Sequence, residues 1–237
     1  MAIPVVESVT TTIQGASTTF ELFMPSTRPD GDLYLAIVGK DDEVAMAAEA
    51  SWTTIQALTD GSGSYSGVWY RIGDSEPESY NWHGDNEPWK GGVLHISGFD
   101  SDTPIDDSSV SYGTSTDERL WFNTTTATNE DGLVVWSGCL DTDTIFATPP
   151  TDSVVLFNMA GGSGVVSLAA SWVTGPAATA SSEITHWLID SAANDQWQTV
   201  TTLIGTEQVS AGSTQEYDLQ DSLSFTVNLL RDQILIR

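Results

Sequence analysis

Phe20-Glu21-Leu22-Phe23-Met24 and, far along the chain, Leu223-Ser224-Phe225-Thr226-Val227-Asn228-Leu229 set apolar residues two positions apart. A strand turns successive side chains to opposite faces, so this spacing gathers the apolar ones on one face of a half-buried sheet. Working outward, nearly every other apolar run is short, β-branched or aromatic, and bounded by Gly, Pro, Asp, Asn or Ser, which is the strand signature. The reading predicts strands at Thr18–Met24, Asp32–Val38, Trp52–Leu58, Ser66–Ile72, Ser79–Trp82, Gly92–Gly98, Arg119–Thr125, Gly132–Gly138, Ser153–Asn158, Val165–Trp172, Glu183–Ile189, Gln196–Ile204 and Leu223–Leu230. Helical periodicity is almost absent; only Asp41–Ser51, containing EVAMAAEA, is expected to form a short helix. Short strands without a repeat of fixed period imply an all-β fold, an antiparallel two-sheet β-sandwich that is jelly-roll-like, and argue against a propeller or solenoid. The expected organisation is an N-terminal extension over residues 1–18, one sandwich domain over 19–231 and a C-terminal extension over 232–237. The small, turn-forming stretch 173–182 is read as a loop within that domain, since the strands after it would make an undersized second unit.

Charge narrows the setting. Thirty-three residues are Asp or Glu and seven are Lys or Arg, a formal net charge of -26 on 237 residues, and the only lysines are Lys40 and Lys90. Self-repulsion on that scale destabilises a compact fold at low ionic strength. At about 1 M salt the Debye length falls to about 3 Å and the repulsion is screened. An acidic disordered chain would need low hydrophobicity and few aromatics, whereas this one is 40% hydrophobic with nine Trp, seven Phe and six Tyr. Solubility alone would explain an acidic surface, but not the near-absence of Lys, so adaptation to concentrated salt is the preferred reading. Phosphate contacts rest on Lys and Arg, which disfavours nucleic acid as a partner. The first residues lack a basic n-region and long apolar stretch, and no segment approaches the roughly 20 apolar residues of a span, so no membrane insertion is expected. Cys139 is alone, which excludes an internal disulfide and a cysteine-rich zinc site and leaves a buried, inert thiol as the expectation.

Several spaced groups then line up. Pro29-Asp30-Gly31-Asp32-Leu33-Tyr34-Leu35-Ala36 is followed by Trp52, by Trp69-Tyr70-Arg71, and by Glu76-Pro77-Glu78-Ser79-Tyr80-Asn81-Trp82. Next come Gly92-Val93-Leu94-His95-Ile96-Ser97-Gly98-Phe99-Asp100 and Thr103-Pro104-Ile105-Asp106. In this order they resemble a β-sandwich domain of tailed-virus and prophage structural proteins, whose members read GDLLLA, a Trp, a YYR-like strand, EP-x-SY, then G-x-I-x-x-Y-x-G-x-D and P-I-D. The resemblance spans residues of about 19 to 231 and is strongest between Asp32 and Asp106; Ile96 and Phe99 stand where smaller or tyrosyl residues are common. It implies a virion surface component of the tail-fibre, capsid-decoration or turret type, with no catalytic residues to transfer. Joined to the acidity, it implies a virus of a halophile, haloarchaeal in kind. The expected partners are copies of the same chain and other virion proteins.

Enzyme readings fare poorly in the sequence. His83, His95 and His186 show no metalloprotease spacing, neither GxSxG nor a phosphate-binding loop occurs, and Gly161-Gly162-Ser163-Gly164 is read as a hairpin loop. Carboxylates are so abundant that choosing a glycosidase pair is arbitrary. No cofactor is required. Ca²⁺ is the one cation with a candidate site, at Asp100, Asp102 and Asp106 beside Asp107, because it takes six to eight oxygens; a solvated acidic turn is the favoured alternative. Asp141-Thr142-Asp143 is similar. The remaining candidate is a glycan site on the host cell surface formed by Trp82, His83, Asp85, Asn86 and Trp89, where two indoles could stack on a sugar and polar groups meet its hydroxyls. Against it stands an inward-packing Trp82 and a Trp89 that caps the core or meets a neighbouring subunit, which is the preferred reading. The terminal extensions are expected either to clip onto the domain or to add a strand to a neighbour's sheet.

Overall fold

The computed structural model describes residues 3–59, 63–114, 118–128, 131–142, 144–160, 166–175, 185–190 and 196–206. The chain divides into two units, Met1–Glu207 and Gln208–Arg237, and the described residues belong to the first. The predicted strand Leu223–Leu230 and the extension 232–237 lie outside the described residues, as do Asp143, Gly161–Gly164 and most of 173–182.

Three antiparallel sheets make up the described fold. The first holds β1 (Val5–Phe23), β2 (Leu33–Asp41), β3 (Thr53–Thr59), β4 (Ser64–Ile72) and β5 (Ser79–Ser97) in the order β1-β5-β2-β4-β3. The second holds β6 (Ile105–Thr114), β8 (Leu133–Leu140), β10 (Val154–Met159), β11 (Ser167–Thr174) and β13 (Gln196–Ile204) in the order β10-β11-β8-β13-β6. A third sheet of β7 (Arg119–Phe122), β9 (Phe146–Thr148) and β12 (Thr185–Ile189) is ordered β7-β12-β9. The fold is therefore the expected all-β antiparallel sandwich. A jelly roll passes successive strands between its sheets, whereas among the described residues the first five strands share one sheet, so the sandwich is shown and the jelly-roll connectivity is not.

The strand period explains the layering. In β2, Leu33, Leu35 and Ile37 point to the core shared with Leu133, Val135, Leu168 and Val200 of the second sheet. Their neighbours Tyr34, Ala36 and Val38 point the other way, into a second core with Phe20, Leu22, Trp69, Tyr80, Trp82 and Trp89. In β8, Val134, Trp136 and Leu140 turn from the sandwich core to a third, shared with Leu120, Phe122, Phe146 and Trp187 of the third sheet. Central strands buried on both faces read as continuous apolar runs, which is what LYLAIV and LVVW are. Buried Gln198 links the two large sheets, its amide nitrogen donating to the Ser64 carbonyl at 2.7 Å and its oxygen accepting from the Ser66 hydroxyl at 2.8 Å.

The second core exists because β1 and β5 are long. Each has 19 residues and they pair throughout, but β2 meets β5 only from Trp89 to Ile96. The overhanging ribbon, Ser17–Phe23 with Ser79–Glu87, doubles back over the first sheet. Register shifts at Gln14/Ser17 and Ser17/Thr19 mark the bend, the kind of irregularity that redirects a strand. Across it, the Gln14 amide donates to the Thr19 carbonyl at 2.6 Å and accepts from the Glu21 amide at 3.2 Å. Gly91 and Gly92 allow the close approach: a Cβ at Gly91 would lie 2.7 Å from Phe20 Cε1, and one at Gly92 would lie 2.5 Å from Phe157 Cε1 on the opposite face.

Three expectations change. Residues 5–17, expected as an extension, are part of β1 and pair with β5, so the boundary at residue 18 falls inside a strand. The helix expected over Asp41–Ser51 is absent; Ala47 instead bridges His83, with reciprocal backbone hydrogen bonds of 2.9 Å, and tertiary pairing overrides the alanine propensity. The separate strands expected at Ser79–Trp82 and Gly92–Gly98 are one, β5. Gly31 behaves as its place before Asp32 suggests, turning into β2 at φ +84.

Candidate functional site

The Trp82–Trp89 stretch is ribbon, not loop. Trp82 and Trp89 are both 0% exposed. Trp82 packs against Trp52 and Trp69 with ring centroids 5.3 and 5.9 Å away, and Trp89 stacks on Phe20 at 5.6 Å while its indole N–H donates to the Ser17 carbonyl at 2.7 Å. Neither indole can receive a sugar, which corrects that candidate. His83 and Asn86 are exposed and Asp85 half-buried. Asp85 is held by an ion pair with Lys40, whose side chain is itself fully buried and lies 5.8 Å from the Trp89 ring.

The calcium candidate is likewise redistributed. Asp100 is a turn-former: its carboxylate accepts from the Asp102 amide at 2.9 Å, the Thr103 amide at 3.3 Å and the Thr103 hydroxyl at 2.8 Å. Burial works to raise its pKa, but these hydrogen bonds outweigh it and hold the group below the usual carboxylate range. Asp106 accepts from the Thr128 amide at 2.7 Å and from the Thr128 hydroxyl, and Asp107 from the Thr126 amide at 2.8 Å. These carboxylates fasten segment 126–128 to β6. Asp102 is exposed, and the structure does not gather it with Asp100 and Asp106 around a common point.

Among the described residues one carboxylate group has metal-ligand proximity, Asp42, Asp85 and Glu87, whose ligand atoms lie within 4.8 Å of one another. Asp42 and Glu87 of this group edge an open cleft of about 400 Å³ that Asp41, Glu43 and Gly63 also line. Three carboxylates could supply part of the oxygen shell of a hard cation, and Lys40 already neutralises one of them. Burial, then a hydrogen bond with Asp141 and its charge, push the pKa of Asp41 up to about 6. Sequence reading missed this group because Asp41-Asp42-Glu43 resembled a solvated helix start, while Asp85 and Glu87 come from the back-folded ribbon.

A second cleft, of about 360 Å³, is lined by Glu7, Ser8, Thr27, Pro29, Asp32, His95 and Ser97. His95 Nε2 lies 2.6 Å from Asp32 Oδ2, and the ring stacks on Tyr34 at 5.3 Å. Ser8, the cross-strand neighbour of His95, completes the residue types of a nucleophilic triad. Its hydroxyl and His95 Nδ1 are nevertheless both buried and make no hydrogen bond, to each other or to anything else. This arrangement ties the start of β2 to β5. Burial first, then the Asp32 charge, push the Tyr34 phenol up to about 12.

The motif around EPESY is structural in the same way. Glu76 is pinned by Arg71 at 2.8 Å, the Tyr80 hydroxyl at 2.6 Å and the Asp74 amide at 2.9 Å. The Arg71 guanidinium also lies 4.8 Å from the Tyr80 ring centroid. Set against known protein families and curated proteins, the sequence matches none.

Proposed function

We propose that the protein is an architectural, non-enzymatic component of a virus particle's surface, a capsid accessory or tail protein of a tailed virus of salty habitats. It acts by assembling with copies of itself and with other virion proteins. The observation that carries the reading is the position of the motif residues. GDLYLA forms the doubly buried strand β2, EPESYNW supplies the Arg71–Glu76–Tyr80 cluster and Trp82, and GFDSDTPID supplies the Asp100 turn. Residues used this way build a rigid scaffold. The virion assignment itself rests on the order of those motifs, and the salt adaptation on the charge.

Assembly has a physical opening at the sheet edges. Among the described residues β1 pairs on one side only, with Val5 and Ile13 exposed along it and Ile3 exposed just before it, and β10 is an edge strand with Val154 and Val155 exposed. Unpaired strand edges with apolar side chains invite pairing with another chain. The test is to band particles on a density gradient in molar salt, quantify the protein by mass spectrometry and locate it with immunogold. A fixed copy number on particles is expected, in multiples of five at vertices or three on facets, or as a few copies on a tail. Recovery wholly in the particle-free fraction would overturn the proposal.

A further inference from the structure

Chain period and register put four side chains on the outward face of the third sheet. Leu120, Phe122 and Trp187 point inward and are 0% exposed, so alternation turns Arg119 and Trp121 of β7 outward with His186 and Leu188 of β12, which pair as Trp121↔His186 and Arg119↔Leu188. Trp121 remains 37% exposed, its ring 4.8 Å from that of His186 and 5.9 Å from the Arg119 guanidinium. The strand beneath is firmly held. The Trp121 carbonyl accepts from the Thr199 hydroxyl at 2.6 Å, and the Asn123 carbonyl from the Thr201 hydroxyl at 2.8 Å.

Arg119 is anomalous in this molecule. Lys40 and Lys90 are buried, Arg71 is paired with Glu76, and Arg28 is half-buried and donates to the carbonyls of Pro25 and Glu76. Among the described residues Arg119 is the only exposed cation, and it makes no ion pair in a chain with thirty-three Asp and Glu residues. An unpaired guanidinium beside an open indole combines a carboxylate fork with a stacking surface. We infer that Arg119 and Trp121 form a binding platform for a carboxylated saccharide, with a sugar ring on the Trp121 indole and its carboxylate on Arg119. Charge complementarity selects the occupant: among the described residues the platform carries the one exposed positive group, in a chain of net charge -26. Long-range repulsion of such a ligand by the net charge is screened at about 1 M salt, while contact interactions persist. The inference is independent of the virion assignment.

The test is titration of the full chain with polygalacturonate oligomers in about 1 M NaCl, followed by tryptophan fluorescence and calorimetry, with cellohexaose as the neutral control and sedimentation velocity alongside. Saturable binding of the acidic oligomer is expected, weakened at least tenfold by both Trp121→Ala and Arg119→Gln, with cellohexaose much weaker. Because Arg119 is exposed, Arg119→Gln is expected to leave the melting temperature unchanged, which separates lost binding from lost folding. Equal affinity for the neutral oligomer with no effect of Arg119→Gln would overturn the inference. So would absent sugar binding, including the case where the wild type self-associates and either substitution abolishes it, which would assign the platform to the carboxylates of a second copy.

Discussion

Asp41 shows how a single carboxylate feels the rest of this molecule. It closes β2 beside Asp141 at the end of β8, with Asp42 and Glu87 also near, and burial plus this company push its pKa from 3.8 to about 6. The folded state therefore holds a proton that the unfolded chain releases between those values, and the pair, not either residue alone, titrates there. Stability from this site is fully present below about pH 4 and is lost as pH rises through about 6. A displacement of that size is worth at most about 3 kcal/mol; Asp41 is half-buried, and solvent screening brings it to about 1 kcal/mol. Asp41→Asn is thus expected to raise the melting temperature at pH 7.5 by a few degrees and to flatten the difference between pH 5 and pH 7.5 relative to wild type. Equal pH dependence in the two proteins would show that the carboxyl pair is fully solvated. None of this was legible in the sequence, where Asp41 and Asp141 are a hundred positions apart. Cys139, by contrast, was: a lone apolar-flanked thiol read as buried and inert is 1% exposed in the sandwich core.

At the scale of elements, apolar alternation carried most strands, because burial on one face leaves a period of two in the sequence. What it lost has a pattern. β6, IDDSSVSYGT, is a polar edge strand whose Asp106 and Asp107 side chains serve the amides of Thr128 and Thr126, so no apolar stripe announces it. NWHGDNEPW looked like a loop because it carries turn residues, yet Thr19↔His83, Ser17↔Glu87 and Gln14↔Trp89 are paired across the ribbon. Which side of that ribbon meets the core is decided by its folding back, a tertiary event absent from local sequence, and this is why two buried indoles resembled a sugar site. The device that permits the fold is local, however. Gly91 and Gly92 sit where β5 passes between the ribbon and the second sheet, and each lacks room for a Cβ. Gly92→Ala would place its methyl against Phe157, a buried ring between two sheets with little freedom to shift. Overpacking of this kind costs about 1–3 kcal/mol. The expected result is a lower urea midpoint with an unchanged slope, recovered in part by Gly92→Ala combined with Phe157→Leu. An unchanged midpoint in the single variant would mean that the sheets separate freely at this point and that the glycine pair is not what sets their spacing.

For the whole molecule, the acidic excess at the surface is sharpened because the structure draws both lysines and Arg71 inward. Lys40 and Lys90 are 0% and 1% exposed, and the Arg71 side chain is 10% exposed in its pair with Glu76. The surface thus retains fewer compensating charges than the formal -26 implies, and self-repulsion opposes the compact state wherever salt does not screen it. Two salt effects must be separated: screening acts over the Debye length, which falls from about 30 Å at 0.01 M to about 10 Å at 0.1 M and about 3 Å at 1 M, whereas salts excluded from the surface strengthen apolar burial and continue to act beyond that. Screening therefore predicts a melting temperature that rises most steeply below about 0.1 M NaCl and levels off near 1 M, with KCl equivalent to NaCl. Exclusion alone predicts a shallow rise that continues through about 2 M and is reproduced by sucrose at no added ionic strength. Calorimetric melts across that range distinguish the two. A flat profile would mean that the carboxylates lie far enough apart to ignore one another, and the salt-adapted reading would fall while the sandwich and its scaffold motifs stood unchanged.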